Sequence, residues 1–231
     1  MKQERTQAIV LRRTNYGEAD RILQIITPKG RRAVIARGSR KERSKLAGGI
    51  ELFAVSDIVI HEGKGDLGML TGARLIHFYQ HIMQSYERLQ AGYEIIKLVA
   101  RASEQVDEPE WFSVLEEAFA GLDVVTVDLR LVQTWFLLRY ADFLGYGLGL
   151  HYDSNGDKLD QHKTYLYDDG EKSLKPSERG DITGEHIKLL RLVATKPIQT
   201  IIQVGGISEL LSTCYHTARR HAAIEGPHGI L

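Results

Sequence analysis

The sequence predicts an α+β chain: a five-stranded β-barrel at the amino end, followed by a mainly α-helical region with a small irregular β insertion. Three observations carry that expectation. Residues 1–78 alternate short β-favouring runs with Gly- and Pro-containing turns. From residue 79 the apolar spacing changes to three and four, the period of a helix. Charge divides at the same place. Residues 1–80 hold 15 Lys+Arg against 8 Asp+Glu, and the rest hold 15 against 22, so net charges of +7 and −7 lie within an overall zero.

The barrel elements follow in order. Residues 6–13 (TQAIVLRR) read as a first strand, and Asn15-Tyr16-Gly17-Glu18 as a turn with a permissive Gly17. Residues 21–27 (RILQIIT) are a second strand stopped by Pro28, and Pro28-Lys29-Gly30 turns the chain into a third, residues 31–37 (RRAVIAR). A basic stretch comes next. Residues 36–49 (ARGSRKERSKLAGG) carry Arg37, Arg40, Lys41, Arg43 and Lys45 against the single acid Glu42, and residues 43–48 are expected to form one helical turn capped by Ser44. Residues 52–62 (LFAVSDIVIHE) are a fourth strand, apolar on both faces, as in a barrel wall covered inside and out. Gly63-Lys64-Gly65-Asp66 is a hairpin turn, and residues 67–77 a fifth strand in which Gly68 and Gly72 permit sharp curvature or a bulge. Five strands with a short helix between the third and fourth fit the OB barrel, which commonly binds single strands or oligonucleotides. An SH3-like barrel fits the same pattern.

The helical region is expected as residues 79–89 and 93–106, parted or kinked at Gly92. A third helix, 111–120, follows a start signal at Asp107-Glu108-Pro109-Glu110. A longer helix lies within 123–144, its apolar face formed by Leu129, Val132, Trp135, Phe136, Tyr140 and Phe143, and Gly145 ends it. Residues 146–180 break the period and contain a short strand at 163–167 (KTYLY). Helices return at 183–195, capped by Thr183, and at 207–224. The domain organisation read from this is 1–78 and 79–231.

Catalytic signatures are absent. There is no Gly-rich phosphate loop and no nucleophile elbow, and Cys214 sits within a helix as a small apolar residue. Asp153-Ser154-Asn155-Gly156-Asp157 begins like a calcium loop but has Lys158 where glycine is required and Thr164 in place of the bidentate Glu. His151, Asp160 and His162 match no zinc spacing, and His77 with His81 lacks a third ligand. One cysteine excludes a disulfide framework and fits a reducing, cytosolic compartment. The apolar run near the start is too short for a signal peptide or a membrane span. What remains is electrostatic. Arg12, Arg13, Arg21, Arg31 and Arg32 at strand edges join the five loop cations, and such a set neutralises phosphates with little regard to base sequence.

The stretch AIVLRRTNYGEADRILQIITPKGRRAVIARGSRKERSKLAGGIELF resembles the bacterial recombination-mediator family RecO. Tyr16-Gly17-Glu18-Ala19-Asp20, Arg37-Gly38-Ser39-Arg40 and Leu46-Ala47-Gly48 carry the likeness, with Gly63-Lys64-Gly65-Asp66-Leu67 and Phe143-Leu144-Gly145-Tyr146 further on. The resemblance implies an amino-terminal OB domain, a helical domain and no enzyme activity. It implies a cytoplasmic, nucleoid-associated protein that binds single- and double-stranded DNA and anneals complementary strands. Such a protein acts with RecR to load RecA onto DNA coated by single-strand-binding protein, whose acidic tail docks on the family. Expected DNA contacts are Arg13, Arg31, Arg32, Arg37, Arg40, Lys41, Arg43 and Lys45. Arg130 and Arg139 are the expected tail-docking cations. Many relatives carry a four-cysteine zinc site after the long helix. Here Tyr152–Gly156 stands there without cysteine, so no cofactor is expected, and packing around Tyr152, Tyr165 and Tyr167 is expected to hold the segment instead. Two other readings remain open: a non-enzymatic protein–protein adaptor whose basic loop serves solubility, and a metal-dependent hydrolase using His151, Asp153 and His162.

Overall fold

A computed structural model describes residues 3–62, 67–106 and 108–223. The expected hairpin turn at 63–66 lies outside the described residues, as do Asp107 and the final residue of the expected last helix. The chain divides into two compact units, Met1–Val125 and Thr126–Leu231.

The first unit is built on five strands: β1 (Gln3–Tyr16), β2 (Asp20–Thr27), β3 (Gly30–Ala36), β4 (Ala54–His61) and β5 (Leu67–Phe78). They close in the order β1-β2-β3-β5-β4, with β1 returning to β4 and β3 running parallel to β5. This is the five-stranded OB arrangement, and it decides between the two barrels the sequence allowed. β1 is longer than its apolar centre suggests. Its polar ends keep pairing, Gln3 with His61 and Tyr16 with Asp20, because ladder hydrogen bonds do not depend on side-chain polarity. The barrel interior is filled by alternate residues such as Val10, Leu23, Ile25, Val34 and Ile58. Leu46 and Ile50, from the segment after β3, join that core.

The strand glycines act as expected. Gly72 pairs with Val59 and Leu70 with Ile60, which leaves Thr71 as a bulge. At Gly68 an added Cβ would lie 2.7 Å from the Ile60 side chain. The helical turn after the basic stretch comes later than expected, as a 3-10 turn at Ala47–Gly49. Gly49 fixes its place, since a Cβ there would meet the Ala73 backbone at 2.6 Å.

Two helices complete this unit, α1 (Tyr86–Ala102) and α2 (Trp111–Asp123), preceded by a 3-10 turn at Gln80–Gln84. The expected break at Gly92 is corrected: α1 runs straight through it. Gly92 serves close approach instead, because a Cβ would sit 2.6 Å from the Phe53 ring. Phe53 is fully buried, holds a left-handed backbone (φ 57°), and meets Tyr93 and Phe119 edge-on at 5.2 and 5.5 Å. Arg88 of α1 donates to the Leu122 and Val125 carbonyls at 2.7 and 2.9 Å, tying α1 to the end of α2.

The second unit contains α3 (Leu129–Phe143), the hairpin β6 (Tyr165–Asp168) and β7 (Ser173–Pro176), then α4 (Gly184–Thr195), the short α5 (Ile198–Ile201) and α6 (Leu211–Ala223). The sequence did not anticipate α5, a single turn after Pro197. α6 starts at Leu211 rather than 207. Tyr165 and Tyr167 are buried as expected, but Tyr152 is 56% exposed and takes no part in that packing.

A basic loop clamped to the barrel

The basic loop is ordered through its backbone. Asp20, the first residue of β2, accepts the Gly38 N–H at 2.7 Å on Oδ1. Arg40 donates its own N–H to the Ala19 carbonyl at 2.9 Å, and its guanidinium Nη1 to the Gly17 carbonyl at 3.3 Å. Lys41 N–H to Gly38 O and Ser44 N–H to Lys41 O close two successive turns. Gly38 holds φ +63°, which a residue with a side chain adopts only at a cost. Leu46 and Ile50 then anchor the far end in the core. The Tyr16–Asp20 turn and the Arg37–Arg40 segment, far apart in the chain, are thus one hydrogen-bonded structure at one end of the β1–β2 hairpin.

The side chains behave oppositely. Arg37, Arg40, Lys41, Arg43 and Lys45 are exposed and carry no ion pair among the described residues. Most of the strand cations are matched. Arg13 bonds Glu51 at 2.8 Å, Arg31 bonds Glu104 at 2.8 Å, and Arg32 lies 3.8 Å from Glu4, which also takes Lys29 at 2.8 Å. Asp57 engages Arg5 through a close pair and Arg74 at 3.6 Å, and these cations hold its carboxyl below the usual carboxylate range. The loop thus adds five cations without acidic partners where the backbone is fixed to the barrel.

The sequence passed over Arg12 and Arg21 as contacts of equal standing. Both lack an acidic partner among the described residues, and Arg12 is exposed. Past the register shift between Val10 and Arg12 the ladder is regular, so Arg12 and Arg13 lie on opposite faces, and Arg13 turns to Glu51. A bulge of this kind leaves no mark in the alternation pattern.

Arg130 and Arg139 both lie on α3, nine residues apart. At 3.6 residues per turn that places them on opposite sides of the helix. Arg130 is held at both ends by Asp128, at 3.1 and 2.6 Å, while Arg139 sits 5.7 Å over the Trp135 ring and reaches the Lys196 carbonyl at 3.4 Å.

In the insertion, polar side chains face inward. Asp153 Oδ1 accepts from the Asn155 and Asp157 N–H groups at 2.9 and 3.1 Å, and Ser154 N–H reaches the Leu174 carbonyl at 2.9 Å. His221 donates from Nε2 to the Tyr146 carbonyl at 2.6 Å and accepts the Tyr167 hydroxyl on Nδ1 at 2.9 Å. Burial holds this imidazole below its ordinary pKa, so the neutral tautomer fits both bonds. The donor set does not fit a tetrathiolate zinc centre. The lone thiol, Cys214, is fully buried on α6, its pKa pushed up to about 12 by burial, and Asp153 is committed to backbone N–H groups. Among the described residues no three His, Cys, Asp or Glu side chains gather as a metal would require. No described helix is long and apolar enough to cross a membrane.

Comparison with known proteins accounts for both halves. The family model described as "Recombination protein O N terminal" matches residues 1–79, and "Recombination protein O C terminal" matches residues 83–222. A protein named DNA repair protein RecO from Roseiflexus sp. (strain RS-1) is 37% identical over 144 residues, covering 62% of this chain and 50% of that protein. Its namesake in Dehalococcoides mccartyi (strain ATCC BAA-2266 / KCTC 15142 / 195) is 29% identical over 216 residues, covering 90% and 85%, and that of Synechococcus elongatus 37% over 155 residues, covering 64% and 56%. The match thus spans about half the length of the Roseiflexus and Synechococcus proteins. With both terminal models accounted for in order along one chain, and with the OB barrel they adjoin, this chain belongs to the RecO family.

Proposed function

We propose that this chain is a DNA-binding recombination mediator in DNA repair, that it performs no covalent chemistry, and that its barrel loop is the phosphate clamp. One observation carries the reading: five cations without acidic partners on a loop whose backbone is fixed to the barrel. A rigid backbone lowers the ordering cost of binding, and side chains without acidic partners need break no ion pair to reach a phosphate. Arg37, Arg40, Lys41, Arg43 and Lys45 are the main contacts. Arg13, Arg31 and Arg32 are flanking contacts that must exchange an acid for a phosphate. Holding two strands against one basic surface lowers their mutual repulsion, which supports annealing of complementary strands.

Family membership supports the wider reading: action with RecR, loading of RecA, and docking of the acidic tail of single-strand-binding protein, in the cytoplasm. A tail of that kind needs cations beside apolar surface. In the second unit a groove of about 620 Å³ combines Lys158, Arg191 and His151 with Leu148, Leu150 and Leu159, and we place the tail there in preference to α3, where Arg130 and Arg139 diverge. The insertion folds without zinc in this reading.

The deciding experiment is salt-dependent binding of oligonucleotides to the wild type and to Arg40→Glu with Arg43→Glu. The double variant should lose on the order of tenfold or more in affinity across all sequences. Its slope of log K against log salt should fall by about 1.4 on single strands. An unchanged slope rules out the loop as the clamp. Failure of the wild type to retain any oligonucleotide at physiological salt favours the adaptor.

A further inference from the structure

Tyr16 stands beside the clamp and is used by nothing else in the structure. It is the last residue of β1, 55% exposed, with no hydrogen bond or ring contact among the described residues. Phe53 and Tyr79, at the ends of β4 and β5, are by contrast buried in edge contacts with Phe119.

Its position relative to the cations follows from the register. Tyr16 pairs directly with Asp20, and residues so paired have Cβ atoms about 5 Å apart on the same face. The Asp20 carboxylate on that face accepts the Gly38 N–H, at the head of the basic loop. The residue after Tyr16, Gly17, receives the Arg40 guanidinium on its carbonyl. The turn that carries Tyr16 is thereby fixed against Gly38 and Arg40 by three hydrogen bonds that also order the loop, the third running from the Arg40 N–H to the Ala19 carbonyl. Arg12 and Thr14, exposed on the same face of β1, extend the strip with a further cation and a hydroxyl.

An exposed ring beside ordered cations is what an unpaired nucleotide recognises: the cations take its phosphate and the ring its base. A duplex offers phosphates but keeps its bases stacked on each other. We infer that Tyr16 is a base-stacking platform that makes the clamp prefer single strands over duplex. The inference rests on the reading of the loop as a phosphate clamp and adds to it the form of nucleic acid selected. Charge alone supplies no such preference, since the duplex has the higher density of phosphates.

The test uses the full chain at fixed salt, a thymidine oligonucleotide as single strand and a hairpin duplex with the same number of phosphates. Tyr16→Ala should weaken the oligonucleotide by roughly five- to a hundredfold, leave the duplex within about twofold, and leave the salt slope on both unchanged. Tyr16→Phe should keep wild-type affinity for both, because the ring and not the hydroxyl is used. Tyr16→Trp supplies a direct readout, since Trp111 and Trp135 are fully buried and the added indole is exposed. Its fluorescence should be quenched on saturation with the oligonucleotide and not with the duplex. Equal losses on both substrates in Tyr16→Ala, or a Tyr16→Trp emission unmoved by bound oligonucleotide, overturns the inference. Either result leaves the clamp intact, whereas the clamp itself fails on the salt slope of the loop variant.

Discussion

Two irregular segments of this chain, the basic loop after β3 and the insertion between α3 and α4, use hydrogen bonds in opposite ways. In the loop the backbone is engaged, by Asp20, Ala19 and its own turns, and the cations are exposed without acidic partners, Arg40 alone reaching a carbonyl, that of Gly17. In the insertion the side chains are engaged, Asp153 on two N–H groups and Tyr167 on His221. Both segments are polar, and composition alone does not separate them. The difference lies in where the polar side chains point. A segment whose side chains close on its own backbone is holding itself together. A segment whose backbone is held while its cations stay unmatched is arranged for something outside it.

The comparison breaks first at the loop. Arg40→Glu with Arg43→Glu should cost on the order of tenfold or more in DNA affinity and lower folding stability by no more than about 1 kcal/mol, because these exposed cations have no ion pair and only Arg40 makes a long, exposed hydrogen bond. Denaturant melts beside the binding titration check this. A large loss of stability would mean that the cations belong to the fold.

Asp153→Ala is the mirror experiment. It removes the buried acceptor of the Asn155 and Asp157 N–H groups in a turn that is otherwise exposed, and should destabilise the chain by about 1 kcal/mol. Oligonucleotide affinity should not change. A DNA-binding defect in folded Asp153→Ala protein would erase the division between the two segments.

The pH dependence follows from His221, and His186 on α4 adds to it. Burial lowers both imidazoles below the ordinary value of 6.5. The unfolded chain therefore binds more protons than the folded one as pH falls below about 6.5, and stability decreases in that direction. It is complete above that value. A thermal melt at pH 5.5 should lie several degrees below one at pH 7.5. His221→Gln, which keeps a donor and an acceptor without the titration, should narrow the gap.

How much of this was legible beforehand depends on what each feature rests on. The barrel strands announce themselves because one face of each must be apolar, and period two records that. The parallel pairing of β3 with β5, which identifies the barrel, is a long-range contact that leaves no local pattern. Gly92 looks like a helix breaker in sequence, and only the Phe53 ring beside it explains why a helix tolerates it. The eight proposed phosphate contacts were chosen by residue type. Sequence could name the cations but not their partners, so Arg13 with Glu51 and Arg31 with Glu104 stood equal to Arg37 and Lys41. Residue type groups Tyr152 with Tyr165 and Tyr167, although Tyr152 faces solvent.

The smallest expected effect is the most discriminating, because its sign opposes simple electrostatics. Asp20 is an acid beside a cationic site. Coulomb's law alone predicts that Asp20→Ala strengthens DNA binding by removing a like charge from the phosphate's neighbourhood. The hydrogen bonds predict the reverse. Without its acceptor the Gly38 N–H loses the bond that fixes the head of the loop, and the ordering cost then falls on the bound state. Asp20→Ala should therefore weaken binding severalfold with about 1 kcal/mol of stability lost, while its salt slope stays that of the wild type because the cations are all present. Asp20→Asn keeps an acceptor oxygen without the charge and should restore most of the affinity. If both variants bind more tightly than wild type, the loop is a cluster of charges and nothing more. If only the alanine variant is weak, the backbone clasp between the Tyr16–Asp20 turn and the loop is what converts those charges into a site.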